Sequence, residues 1–205
     1  MKFGFTIPNT VQVKALTQPF ETDVTGPDQA NIARRAEELG YDMIPIPEHF
    51  VVPNSHVELT GSHYFHSTVA QAFIAGATER IRIMSSVSLL PLQHPVIMAK
   101  ALSTADWLSN GRITATFGVG WDAEEFKVLG VPFHERGRMA DEYLAAIVEL
   151  WTSDSRNSTE NTSRSRTSLS NRNRCRNRIC RSGSAATPSP CSSVRPGTGP
   201  AGSRG

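Results

Sequence analysis

The first 154 residues are built from apolar and polar blocks whose period switches repeatedly between strand-like and helix-like. Residues 2–7 (KFGFTI) form a short apolar run rich in strand formers and predict a strand. Pro27, Asp28 and an Ala33/Ala36/Leu39 face closed by Gly40 predict a helix with its own start and stop. Residues 41–47 (YDMIPIP) predict a second strand, kept short because Pro45 and Pro47 remove ladder donors. Helical spacing returns over 68–77, and 80–90 (RIRIMSSVSLL) predict a third strand. Residues 95–108 predict a helix with Pro in its first turn and Val96, Met98, Ala99, Leu102 and Ala105 facing inward. A fourth strand over 111–120 runs into a Gly-rich turn, and 135–151 predict an amphipathic helix. Strands apolar on both faces that alternate with helices imply a parallel α/β sheet with right-handed crossovers. Either an open Rossmann-like sheet or part of a (β/α)8 barrel satisfies that order. A complete barrel takes about 250 residues, so four units make roughly half of one.

After Thr152 the periodicity stops, and composition divides the chain there. Residues 1–154 hold 11 Lys and Arg against 18 Asp and Glu, a net of −7; residues 155–205 hold 10 Arg, no Lys and one acid, a net of +9. Every Phe, Trp and Tyr precedes the break, and Cys175, Cys180 and Cys191 follow it. A segment so poor in apolar residues cannot offset the entropy of being ordered, so 155–205 are expected to be a disordered Arg/Ser/Pro/Gly-rich tail. The fourth strand is then expected to be an unpaired edge.

The front part has no Cys, no bilayer-length apolar run and no basic-then-apolar leader, which predicts a cytoplasmic protein without a membrane partner. The tail alone suggests an Arg-rich arm on phosphates, a nucleic-acid-binding rival from a different functional class. It lacks aromatics for base stacking, so no specific nucleic-acid partner is expected. Cys175 and Cys180 are half a zinc site without its other half, and no metal is expected.

Three stretches carry a family resemblance: GYDMIPIPEHF, ATERIRI through SVSLLPLQHPVIMAKALSTADWLSNGRI, and GVGWDAEEFKVLGVPFHERGRMADEYLAAIVELW. From Met1 to about Asp154 the chain resembles the luciferase-like oxidoreductases, in the branch that uses the deazaflavin coenzyme F420. The resemblance implies the N-terminal half of a (β/α)8 TIM barrel, hydride transfer to or from a small-molecule substrate, and a homodimer as one expectation for full-length members. FMN with a monooxygenase reaction is the second cofactor reading, because the fold serves both.

The tail departs from that family, whose chains continue with an aromatic-containing hairpin, a Pro-Lys-Pro segment and a strand ending in Gly-Gly. Arg172 to Thr187 can be written in codons that, read from one nucleotide earlier, spell PKPLQKPHLPIWFGGD; Arg156 to Arg166 can likewise give PEFNGKYVSFE. The second and third bases of these recovered codons are largely fixed by the residues present. The tail therefore reads as the fifth-strand region translated out of frame, and the 205-residue product is expected to be insoluble or inactive.

In such a barrel, residues at the C-terminal ends of strands face the site. The resemblance places His49 against the coenzyme ring as acid/base, with Glu48 its orienter, since proton transfer near neutral pH suits imidazole. It also places a non-prolyl cis peptide at about Ser86-Val87. Ser85, Ser86 and Val87, with Gly118, Val119, Gly120 and Trp121, form the expected cofactor-binding wall. Some relatives carry a catalytic Glu where this chain has Trp121; Asp122, Glu124 and Glu125 are either its substitutes or solvated helix-start charges. His56, His63 and His66, in the loop after the second strand, either border the substrate or lie on the surface.

Overall fold

The computed structural model describes residues 1–13 and 15–152, together with the backbone of residues 179–181. Helix α1 (Gly26–Glu38) starts at Thr25, whose amide donates to Asp28 Oδ2 at 3.0 Å, with Pro27 in the first turn. Ala33 and Ala36 are buried as the spacing predicts, whereas Leu39 is 61% exposed because the helix has ended at Glu38 and the chain turns away at Gly40, φ +83°.

The sheet consists of β1 (Met43–Ile46), β2 (Arg82–Ser85), β3 (Ser88–Leu89) and β4 (Ile113–Gly118), all parallel, in the order β1-β2-β4-β3. Register sets Ile44, Ile83 and Ile113 on one face. That face forms the core with α3 (Ser67–Ala77), α4 (Pro95–Leu108) and α6 (Arg136–Thr152), through Ile74, Met98, Leu102, Ile147 and Trp151. The opposite face carries Met43, Pro45, Arg82 and Met84, which stay half-buried. Among the described residues, no helix is long and apolar enough to cross a membrane.

Three local features differ from the sequence reading. Residues 2–7 make a single bridge, Gly4 to Met43, with Phe5 N donating to Met43 O at 2.9 Å, instead of a full strand. β1 is its one strand neighbour among the described residues, and Phe3 is 56% exposed. The predicted third strand is broken into β2 and β3. Ile83 pairs with Ile113 but Ser88 pairs with Phe117, so this chain holds one residue more than β4 over the same length. The surplus sits at a bulge containing the cis peptide Ser86-Val87. Lastly, β4 is not an open edge: β5 (Ile179–Arg181) lies parallel to it, Ala115 opposite Ile179 and Phe117 opposite Arg181. Main-chain pairing accepts almost any side chain, which is why a segment from the Arg-rich tail can occupy that edge. The expected disorder of the rest of 155–205, and the side chains of Cys175, Cys180 and Cys191, lie outside the described residues.

Two polar staples hold the end of the sheet opposite the site. Arg112 donates from Nη2 to Ala75 O (2.7 Å) and Thr78 O (3.0 Å), from Nη1 to Thr78 Oγ1 (2.9 Å) and Ile81 O (3.1 Å), and from Nε to Ser109 O (2.8 Å). Arg112→Ala strands several of these carbonyls and is expected to destabilise the fold by about 2–4 kcal/mol, read from denaturant unfolding. Glu37 accepts from the amides of Glu79 (3.1 Å), Arg80 (2.5 Å) and Ile81 (2.6 Å). Burial alone would raise its pKa, but these donors and the Arg80 guanidinium hold it below the ordinary carboxylate range. A depressed carboxylate stabilises the fold above its unfolded pKa and loses that contribution as pH falls through the folded value. Glu37→Gln should therefore melt lower at pH 7 and lose less stability than wild type below about pH 4.5. Parallel acid limbs in the two proteins would refute it.

Candidate active site

Beyond Ile46, where β1 ends, burial goes on alternating: Glu48 is buried, while Pro47 and His49 are half-buried. Glu48 turns into the protein, 4% exposed, and accepts from Ser67 N (3.0 Å), Leu89 N (2.9 Å) and Gln93 Nε2 (3.2 Å). One carboxylate thus ties the end of β1 to the start of α3 and to β3. Burial pushes its pKa up, opposed by the Leu89 and Ser67 amides and by His66, while the nearby Glu125 carboxylate adds to the rise.

His49 faces the other way. Its Nδ1 lies 3.0 Å from Glu125 Oε2, and the side chains are 12% and 0% exposed. The other Glu125 oxygen accepts from Phe50 N (2.6 Å) and Val51 N (3.2 Å). The carboxylate within hydrogen-bond reach of His49 is thus that of Glu125, from α5 (Ala123–Val128) and 76 residues away, and not that of Glu48, whose oxygens bond to Ser67, Leu89 and Gln93. The His49 ring packs edge-on to Tyr64, centroids 4.8 Å apart, and to Trp121 at 5.8 Å.

Asp122 is the N-cap of α5; Oδ1 accepts from Glu124 N (3.0 Å) and Glu125 N (3.4 Å), and Oδ2 lies 2.8 Å from His56 Nδ1. Burial alone would raise the Asp122 pKa, but the His56 imidazole and the two amides hold it low. Of the three acids in this turn, Asp122 and Glu125 are buried and Glu124 is exposed. The spacing Asp-x-x-Glu was legible as a helix start, yet nothing in it told that Glu125 would be buried against the end of another strand. Of the loop histidines, His63 Nε2 lies 3.1 Å from Asn9 O and His66 Nδ1 lies 3.7 Å from Glu48.

The expected wall divides. Ser86 is exposed, Val87 and Gly118 are half-buried, and Val119 and Trp121 are exposed at the C-terminal ends of β2 and β4. Ser85 is fully buried; its hydroxyl donates to Thr116 O and accepts from Thr116 N, both at 2.8 Å. It replaces a backbone rung where the bulge breaks the register, and it does not line the mouth. Gly118 sits so close to Val87 that a Cβ would meet Cγ2 at 2.5 Å, and Gly120, φ +79°, leaves 2.6 Å to the Phe126 ring. Close packing within the chain requires both glycines. The result is an apolar shelf of Val87, Gly118 and Val119 at the C-terminal ends of β2 and β4, followed by Trp121, whose ring lies 5.8 Å from that of His49. In the segment after Val87 the buried Ser88 hydroxyl has no hydrogen-bond partner. A planar ring with polar edges fits these residues.

Comparison with known proteins agrees with the fold. The family described as luciferase-like monooxygenase matches residues 1–177, past the Asp154 limit of the sequence resemblance. An F420-dependent glucose-6-phosphate dehydrogenase of Amycolatopsis mediterranei is 35% identical over 134 residues, 63% of this chain and 39% of the relative. An FMNH2-dependent dimethylsulfone monooxygenase of Pseudomonas putida is 28% identical over 164 residues, 75% of this chain and 42% of the relative. The crystal structure of a monooxygenase from Streptomyces bottropensis shares the fold with TM-score 0.62 at 24% identity, covering 76% of this chain and 44% of that one. The chain spans about half or less of the length of these relatives. Its α/β architecture is that of the luciferase-like TIM barrels, and the chain belongs to the luciferase-like monooxygenase family.

Proposed function

We propose that this chain carries the front half of an F420-dependent oxidoreductase, which moves a hydride between the deazaflavin and a small organic substrate. The observation that carries the reading is the His49–Glu125 pair beside the apolar shelf. When bound, the coenzyme supplies the hydride-accepting and hydride-donating centre. Val87, Gly118 and Val119 would hold the face of its ring. Glu125 accepts from Nδ1–H of His49 and so directs the Nε2 lone pair toward the substrate, where it takes a proton from a hydroxyl or returns one to a carbonyl. Tyr64 and Trp121 pack on the imidazole and limit water around it. Glu48 fixes the wall indirectly, through the Leu89 amide.

The second reading is an FMN-dependent monooxygenase, favoured by the similarity to the dimethylsulfone monooxygenase over 75% of this chain. The out-of-frame reading of the tail belongs to the same proposal: the family's own fifth-strand sequence would be restored by correcting the frame after about Ser155. Titration of F420 and of FMN into the 205-residue chain and the corrected chain tests both points. Binding and turnover of F420 are expected in the corrected chain alone. Turnover by the 205-residue chain overturns the frame reading, and binding of FMN but not F420 by the corrected chain replaces the coenzyme. The rival role as a nucleic-acid arm requires an affinity that disappears when 155–205 are deleted.

A further inference from the structure

Trp121 is held at both of its chain neighbours. Gly120 adopts φ +79° against the Phe126 ring, and Asp122 is locked as the cap of α5. Its indole is half exposed and lies between two imidazoles, 5.2 Å from His56 at 49° and 5.8 Å from His49 at 82°. His56 is itself anchored: its carbonyl accepts from Leu59 N (2.9 Å) and Thr60 N (3.0 Å), opening α2 (Val57–Thr60), and its amide donates to Pro53 O (2.9 Å). Its side chain meets Asp122, Nδ1 lying 2.8 Å from Oδ2 of a carboxylate that is 2% exposed. A rigid turn in one loop therefore grips the residue next to Trp121 and flanks its ring. The indole can offer the mouth dispersion and edge contacts but no carboxyl proton.

We propose that His56, bonded to Asp122, is a positioning residue that fixes the Trp121 indole beside His49, and that this indole is the wall selecting substrates with a flat apolar face. The positioning half stands on the geometry alone; the substrate half rests on the oxidoreductase reading. His56 does not touch the reacting atoms in this account. It acts through Asp122 and Trp121.

Tryptophan fluorescence of the full 205-residue chain, quenched by acrylamide, tests the positioning half without any coenzyme. His56→Leu should raise the quenching constant of the Trp121 component about twofold, because Asp122 loses its bond to the His56 turn and the chain around the indole opens more readily. His56→Asn keeps an N–H donor for Asp122 and should quench like wild type. The leucine effect should vanish in a Trp121→Phe background. A leucine variant with wild-type circular dichroism and unchanged quenching overturns the positioning role, as does an effect that survives Trp121→Phe. His56→Ala reads the same contact should leucine prevent folding. For the substrate half, Trp121→Ala and His56→Leu in the frame-corrected enzyme should lower the preference for benzyl alcohol over 2-propanol by about tenfold in kcat/KM. An unchanged preference overturns the wall. Absence of turnover with either coenzyme sinks the oxidoreductase reading and with it the wall, while quenching still decides the positioning role.

Discussion

His49→Gln in the frame-corrected enzyme is expected to lower kcat by about 10²–10⁴-fold while leaving coenzyme affinity near wild type. The expectation follows from what the imidazole does at its two nitrogens. Nδ1 is engaged by the buried Glu125 carboxylate, and the ring is clamped between Tyr64 and Trp121, so its orientation is fixed before any substrate arrives. Glutamine fills a similar volume but neither accepts a proton from an alcohol near neutral pH nor returns one. The loss should fall on kcat because the shelf of Val87, Gly118 and Val119 is untouched. Steady-state kinetics at one pH near neutrality would show it. A variant that keeps wild-type kcat removes His49 from the chemistry.

The second large effect is expected at Glu125, and two substitutions there should separate. Glu125→Ala leaves the Phe50 and Val51 amides and His49 Nδ1 without their acceptor at a part-buried site whose carboxylate is itself fully buried. A loss of about 2–4 kcal/mol is expected, read from denaturant unfolding, since stranded buried donors cost more than the bond itself contributed. Glu125→Gln can keep its carbonyl oxygen on the two amides, so stability should fall far less. Its NH2 group would then point at Nδ1, which must carry the lone pair, and the proton moves to Nε2. That is the wrong tautomer for a base, and alcohol oxidation should slow by about 10²–10⁴-fold. Equal stability loss in the two variants, or full turnover in Glu125→Gln, contradicts the assigned role.

These two residues show how far the sequence could be read. His49 was legible because the end of a predicted strand, an imidazole and a family resemblance converge on it. Glu125 is singled out by nothing in the sequence: with Asp122 and Glu124 it is either a substitute for the family's acid or a solvated helix-start charge, and which of the three is buried depends on where α5 lands against the end of β1. Glu48 is buried next to His49 in the chain, yet its carboxylate bonds to Ser67, Leu89 and Gln93, while His49 pairs with Glu125. Ser85 was counted with the cofactor wall because it ends a strand, but the extra residue of the bulge turns its hydroxyl onto Thr116.

By itself the sequence determined the alternation of strands and helices, the inward positions Ala33 and Ala36 of α1 and Met98, Ala99, Leu102 and Ala105 of α4, the break in composition after residue 154 and the family of the front part. All of these are written in local period and residue type. Tertiary structure alone decided the splitting of β2 from β3, the pairing of β5 along β4, the burial of Glu125 and the joining of His56 to Asp122. Each depends on elements distant in sequence meeting at one register. A local pattern fixes which face of an element is apolar, but leaves open which partner that face or its ends will find.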